Sequence, residues 1–282
     1  MGWDFHTHTT ASDGALTPTQ LVERASSLGL SGIAITDHNT VAGIEEAQRA
    51  GEKLGVCIIA GVEVGARWKK VRMHVLGLGV SHTDHVFLDR LAGQRRIRQR
   101  KNEFLLQYLR GLGHGITEEE IILHGGRLGG EISELHVATL LVKRGIVGNH
   151  QAALERYIEP ALERYDHYDE TGRIEPVEAS RWIKEAGGKA ALAHPGVYKV
   201  DCLATDWIIK LWGIEADHPS HSRGQRERYR SFAQRHGLVA TAGSDFHRVE
   251  NQQVVRSEIG SCSLPEGEGR MIYRDLYGED CP

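Results

Sequence analysis

The chain has 282 residues, a net charge of −4, 40% apolar residues and 26% charged residues, the balance of an ordinary water-soluble globular protein. That charge gives no general attraction to nucleic acid or to an anionic membrane surface. No apolar run approaches the roughly 20 residues of a membrane span. Cys57, Cys202, Cys262 and Cys281 are widely scattered without a C-x-x-C pair. Neither a structural zinc knuckle nor a disulfide framework is therefore expected, and a reducing cytoplasm fits best. The first residues lack the basic and apolar stretches of a signal peptide. Sixteen histidines stand out, and what they mean depends on where they fall.

In chain order, strand patterns occur at Trp3–His8, Gly32–Asp37, Val56–Val64, Met73–Gly79, Lys189–His194, Gly213–Ala216 and Leu238–Ala242. Several are too apolar for a half-exposed strand, which suits a parallel sheet covered by helices. Thr17-Pro18-Thr19-Gln20 predicts an N-cap, a proline at the first helical position and a capping-box glutamine. Leu21, Ala25 and Leu28 then space an apolar face, and Gly29 is the stop. Further helices are predicted at Val41–Leu54, Pro176–Ala186 and Ser222–His236, each closing on a glycine. Seven strands with helices between several of them point to an α/β barrel.

Residues 82–168 break the alternation. Helical patterns run over Leu88–Leu112, Thr117–Leu123, Glu134–Arg144 and Gln151–Arg164, with no convincing strand. Residues 1–81 and 169–282 are therefore read as one discontinuous barrel, and 82–168 as a helical insertion. The last ~25 residues, with Pro265-Glu266-Gly267-Glu268-Gly269, are expected to form an irregular tail.

Polar clusters recur where the strands end. His6 and His8 close the first, with Asp13 on the following loop, and two histidines at i and i+2 share a strand face. Asp37-His38 closes the second strand and Glu63 the third; His74 lies on the fourth and His194 closes the fifth. Glu215, Asp217 and His218 end the sixth, and the seventh runs into Asp245-Phe246-His247. That rim is where parallel barrels build their sites. Carboxylates packed together repel and buried imidazoles resist protonation, and bound cations relieve both. Imidazole plus carboxylate, without thiolate, suits manganese, iron or zinc.

Asp4-x-His6-x-His8-Thr9, Ser12-Asp13-Gly14, Thr36-Asp37-His38, Gly61-Val62-Glu63, His194-Pro195 and Gly243-Ser244-Asp245-Phe246-His247 resemble the polymerase and histidinol phosphatase (PHP) family. The resemblance covers Met1 to about Val80 and about Gly187 to Arg248. It implies a distorted seven-stranded β/α barrel and phosphoester hydrolysis at two or three divalent ions. By resemblance, His6, His8, Glu63 and Asp245 hold the first ion. Glu63 bridges to a second completed by His74 and His194, and Asp13, His38 and His247 hold the third. Asp4 and Asp37 are expected to orient ligand histidines. His221 and His218 are candidates to protonate the leaving group.

The insertion resembles that of small phosphoesterases acting on nucleoside 3′,5′-bisphosphates, short RNA 5′ ends or ribose cyclic phosphates, where a lid brings basic side chains to a second phosphate. Two positions depart from that pattern. Glu134 stands where nucleotide-processing relatives carry an arginine, and Glu159-Pro160-Ala161-Leu162 replaces a Gly-Lys-Pro turn. Arg127, Arg144, Arg173 or Arg223 are the replacements considered for the lost phosphate contacts. The basic run from Arg95 to Lys101 is read as a solvated helix face. The expected partner is a small phosphorylated substrate, with nucleic acid only as a short substrate. An exonuclease and a non-catalytic metal-binding module are the competing readings.

Overall fold

The structure is a computed structural model that describes residues 2–124, 132–168, 173–250, 253–255 and 257–281. It opens with β1 (Gly2–Thr7), α1 (Pro18–Ser27), β2 (Gly32–Ile35), α2 (Ile44–Leu54), β3 (Cys57–Trp68) and β4 (Val71–Leu78). The cap of α1 follows the expected chemistry: the Thr17 side chain accepts from the Gln20 backbone, the Gln20 side chain accepts from Thr17 N, and Pro18 needs no donor. α2 starts three residues later than its apolar pattern suggests.

The helices α3 (His85–Gly111), α4 (Glu118–His124), α5 (Glu134–Lys143), α6 (His150–Ala153) and α7 (Glu159–Tyr168) come next, α6 and α7 joined by a π-helical turn at Leu154–Ile158. The chain returns to the sheet through α8 (Pro176–Glu185), β5 (Lys189–Leu192), β6 (Gly213–Asp217), α9 (Arg223–His236) and β7 (Val239–Ala242). It ends with a small hairpin of β8 (Arg248–Glu250) and β9 (Gln253–Val255), then β10 (Leu264–Pro265) and α10 (Glu266–Tyr277).

Eight strands form one sheet in the order β10-β1-β2-β3-β4-β5-β6-β7. The sheet curls until the segment after β7 meets β1. His8 N donates to Phe246 O at 3.0 Å and Asp245 N donates to His6 O at 2.9 Å. This is the distorted α/β barrel expected, with two departures. β4 runs antiparallel to both β3 and β5, because a tight turn at Lys69-Lys70 joins β3 to β4 and such a turn can only link antiparallel neighbours. Lys69 takes the left-handed backbone, φ 55°, that the turn requires. The second departure is β10, which adds antiparallel to the start of β1.

The C-terminal segment corrects the expectation of a loose tail. α10 packs under the barrel, with Ile272 in one apolar cluster with Trp3, Phe5, Ala34 and Ile59. A Cβ on Gly269 would lie 2.1 Å from Trp3 Cγ, so the glycine that reads as irregular sequence permits close helix–strand contact. The Tyr277 hydroxyl accepts from Ala60 N at 2.9 Å. Cys281 forms a disulfide with Cys57, Cα–Cα 6.1 Å, although their spacing in sequence suggested no pairing. α10 thus closes the end of the barrel opposite the polar rim.

Two larger apolar clusters fill the remainder. One joins α1, α2, α8 and α9 to the strands they cover. The other draws only on residues from Leu105 to Leu162, including Leu109, Ile121, Val137 and Leu141. Among the described residues, no helix is long and apolar enough to cross a membrane.

The Cys57–Cys281 bond closes a loop of more than two hundred residues, so removing it should cost about 2–4 kcal/mol. Cys281→Ser should lower the melting temperature under non-oxidising conditions no further than reduction lowers it in the parent. A parent whose melting is indifferent to reductant would show that the bond contributes nothing.

Candidate metal centre

All nine residues expected to hold ions come together at one rim. β1 delivers His6 and His8, and the loop behind it Asp13. The segments that follow β2, β5 and β7 supply His38, His194, and Asp245 with His247. His74 reaches the same rim from the first half of β4, because that strand runs the other way. Its register partner is Gly65, two residues past Glu63 on β3.

Glu63 lies at the centre and is fully buried. Its Oε1 is 2.8 Å from His74 Nδ1 and 3.0 Å from His194 Nε2. Its Oε2 is 2.9 Å from His38 Nδ1, 3.3 Å from His8 Nε2 and 3.5 Å from His6 Nε2. Asp245 Oδ1 stands 3.2 Å from His8 Nε2 and 3.5 Å from His6 Nε2. Asp13 faces His38 at 3.7 Å and His247 at 3.5 Å. Burial opposes charge on Glu63, but His74, His38 and His6 around it hold its pKa well below the usual carboxylate range.

The backbone is bent to make this arrangement. Among the described residues, three of the four non-glycine positions with positive φ lie at the rim: Asn39 (51°), His194 (28°) and Asp245 (51°). Such conformations cost of order 1–3 kcal/mol each and persist only where the surroundings enforce them.

Asp4 and Asp37 do something other than orient a ligand ring. Asp4 accepts from three backbone amides, His6 at 3.1 Å, Ser244 at 3.0 Å and Gly260 at 2.8 Å. It ties β1 to the segment after β7. Burial raises its pKa to about 6, against the pull of those amides. Asp37 accepts from Thr9 N (2.8 Å), Thr9 Oγ1 (2.6 Å) and Ser12 Oγ (2.5 Å). It shapes the loop carrying Asp13. The carboxylate that touches an expected ligand imidazole from behind is Glu215 of β6, 3.0 Å from His6 Nδ1. Its place beside other strand-end acids was visible in the sequence, but its direction was not.

His218 and His221 also part company. His221 Nδ1 donates to Ala216 O at 2.9 Å, and its Nε2 accepts from Gly196 N at 3.0 Å. Both nitrogens are thus committed to backbone, and burial pushes its pKa below the ordinary histidine value. His218 Nδ1 accepts from Ser220 N at 3.1 Å, which leaves the proton of the neutral ring on Nε2. That Nε2 is buried and lies 3.4 Å from Asp245 Oδ2.

The described members of the set of proposed phosphate-contacting arginines have other partners. Arg223 is exposed and paired with Glu227 at 2.9 Å. Arg144 is paired with Glu120. Arg173 reaches back to the carbonyl of Asp166. Arg127 lies outside the described residues. The cations at the rim come instead from α3 and β4. Arg98 Nη2 donates to Asp13 Oδ2 at 3.1 Å, and Arg95 Nη1 donates to Asn39 O at 2.8 Å. Reading this run as a solvated face was wrong for a simple reason. Leu91, Arg95, Arg98, Asn102 and Leu105 alternate by four and three residues, so the two arginines sit in the helix's inward stripe. Arg72 of β4 lies 3.4 Å from Glu134 at the start of α5. Burial opposes ionisation of Glu134, but Arg72, Lys101 and Arg98 hold its pKa down to about 2. Lys101, half-buried beside them, has no ion pair among the described residues.

The family model of the PHP domain matches residues 4–169. This chain belongs to the PHP family. Phosphoribosyl 1,2-cyclic phosphate 1,2-diphosphodiesterase of Eggerthella lenta is 34% identical over 86% of this chain and 93% of its own. The 3′,5′-nucleoside bisphosphate phosphatase of Chromobacterium violaceum is 32% identical over 86% of each, and the 5′-3′ exoribonuclease of Salmonella typhimurium is 33% identical over 87% of this chain and 85% of its own. A solved Chromobacterium violaceum structure, described as an amidohydrolase with bound sulfate and no metal, superposes with a TM-score of 0.81 at 30% identity, covering 99% of this chain and 96% of that one. So does a candidate metal-dependent phosphoesterase of Bifidobacterium adolescentis, with a TM-score of 0.81 at 30% identity over 96% and 95% of the two chains. This PHP chain is a metal-dependent phosphoesterase, a hydrolase of phosphate esters.

The side chains fit that chemistry. Three groups, His6/His8/Glu63, His38/Glu63/His74 and His8/Asp13/His38/His247, each bring one ligand atom per residue within 4.8 Å of the others. His8 Nδ1, Glu63 Oε2 and His194 Nδ1 are buried without a hydrogen-bond partner, which is costly for polar atoms and natural for donors facing cations.

Asp37 supports the Asp13 loop through three hydrogen bonds, so Asp37→Ala should cost about 1–3 kcal/mol of stability by leaving buried donors without acceptors. Urea unfolding measures this. A loss below about 0.5 kcal/mol, the range of an ordinary surface change, would contradict the role.

Proposed function

We propose that this phosphoesterase acts on a small phosphorylated metabolite, of the nucleoside 3′,5′-bisphosphate or ribose cyclic phosphate type. The observation that carries the reading is the compact cation cluster of Arg72, Arg98 and Lys101 beside Asp13 and His74. Burial lowers the pKa of Lys101 there, partly offset by Glu134, which fits an ammonium awaiting an anion. Farther along the chain, Arg144 is already paired and Arg173 is bound to backbone. Among the described residues, the cations facing the cluster are concentrated at the rim rather than laid out as a track for a long polyanion. Residues 82–168 act in this reading as the lid over the substrate. The similarity to a bisphosphate phosphatase and a cyclic phosphate diphosphodiesterase supports the same class.

Two to three divalent ions, manganese, iron or zinc, would be held by His6, His8, Glu63 and Asp245, by Glu63, His74 and His194, and by Asp13, His38 and His247. Such ions, when bound, supply Lewis-acid activation of water and neutralisation of phosphoryl charge. The chain's own residues do the rest. Arg98 and Lys101 hold phosphoryl oxygens, and Arg72 limits how far Glu134 can neutralise them. His218 keeps a proton on Nε2 at the rim and can deliver it to the leaving oxygen. His221, bound at both nitrogens, holds the loop at Gly196 in place.

The resemblance to exoribonucleases favours one alternative, trimming of short RNA ends. A panel of 3′,5′-bisphosphates, cyclic ribose phosphates and short RNA separates them. The metabolite reading expects the highest kcat/KM on a mononucleotide-sized substrate; a preference for RNA with binding that weakens steeply with salt would overturn it. Elemental analysis of protein prepared without chelator should give two to three ions per chain, and under one would contradict the metal reading. His218→Asn should slow turnover about 10²–10⁴-fold with metal content unchanged. Normal turnover in that variant would remove His218 from the proton transfer.

A further inference from the structure

We propose that Glu215 is the positioning residue that holds two of the ion groups in working order at once, by a different use of each carboxylate oxygen. The inference rests on the metal reading above.

Glu215 is fully buried on β6. Its Oε1 accepts from His6 Nδ1 at 3.0 Å, and its Oε2 accepts from His194 N at 2.7 Å. His6 belongs to the group on the Oε2 side of Glu63, and His194 to the group on its Oε1 side. The two contacts have different effects. A carboxylate can only accept, so it fixes the proton of His6 on Nδ1 and leaves the Nε2 lone pair facing Glu63, His8 and Asp245. The second contact anchors the backbone of His194 in its unusual conformation, φ 28° and ψ 58°. That conformation aims the His194 ring back at Glu63 and is costly without such a restraint.

The surrounding chain is built around this residue. A Cβ on Gly243 would lie 2.2 Å from His6 Cβ and 2.4 Å from Glu215 Oε1, so only glycine leaves room for the His6–Glu215 pair. The β6–β7 register shifts between Glu215 and Asp217. Asp217 turns away there to pair with Arg230, while Glu215 stays within the barrel.

The two oxygens can be separated by substitution. In Glu215→Gln the amide oxygen must face His194 N, because that backbone group can only donate. The amide NH₂ then faces His6 Nδ1, which must accept, and the His6 proton moves to Nε2, where it blocks ligation. Glu215→Ala removes both contacts.

The test is chelator competition on the manganese- or zinc-loaded full chain, counting equivalents by affinity, with melting curves to verify folding. Glu215→Gln should weaken one equivalent about 10–100-fold, and Glu215→Ala two. In both, the equivalent held by Asp13, His38 and His247 should be unchanged. Nitrogen-15 spectra of the zinc-loaded parent should show the His6 proton on Nδ1. This reading survives even where the alanine variant does not fold. Wild-type affinities in Glu215→Gln, equal weakening of all equivalents, or a His6 proton on Nε2 in the parent would overturn the proposal. A parent that binds no ion would instead overturn the metal reading beneath it.

Discussion

Everything at the rim depends on one buried carboxylate. Glu63 is surrounded by five imidazoles from four segments, with His74 and His194 on one oxygen and His38, His8 and His6 on the other. An isolated carboxylate in such a place would be driven to its neutral form. Here His74, His38 and His6 around it hold its pKa well below the usual carboxylate range. The two sides of the carboxylate correspond to the two ion groups proposed, and the surrounding backbone takes up positive φ angles at His194 and Asp245.

The antiparallel β4 is the fold's answer to that demand. A parallel strand would present only its C-terminal end at the rim. By turning back directly after β3, β4 places His74 beside Glu63 across a tight hairpin, without a crossover helix. The extended hairpin also carries Arg72 above the rim, where it meets Glu134 of α5. One local choice of turn thus supplies both a proposed ligand, His74, and a cation, Arg72, to the same side of the rim. The opposite end of the barrel is closed by α10 against Trp3, which leaves the rim as the open end.

Much of this was legible in the amino-acid order. The strand-end clusters, the i and i+2 pair of His6 and His8, and the cap at Thr17 are local patterns, and local patterns survive folding. What could not be read were directions and long-range partners. Nothing near Lys69-Lys70 announces that β4 reverses except the missing helix. Gly267 and Gly269 read as disorder until Trp3 is placed against Gly269. Arg95 and Arg98 read as solvated until the stripe from Leu91 to Leu105 is assigned its buried side. Asp4 and Asp37 lie nearest the ligand histidines in sequence, yet Glu215, more than two hundred residues from His6, makes the contact. Cys57 and Cys281 meet only because α10 returns to the start of β3.

The central claim is that Glu63 divides the rim into two ion groups with a third beside them. Anomalous diffraction from crystals grown with manganese tests it most directly. One anomalous peak is expected bordered by Glu63 Oε1, His74 and His194, and another bordered by Glu63 Oε2, His6, His8 and Asp245. A single peak bound away from Glu63, or no peak in protein that hydrolyses phosphate esters, would contradict it.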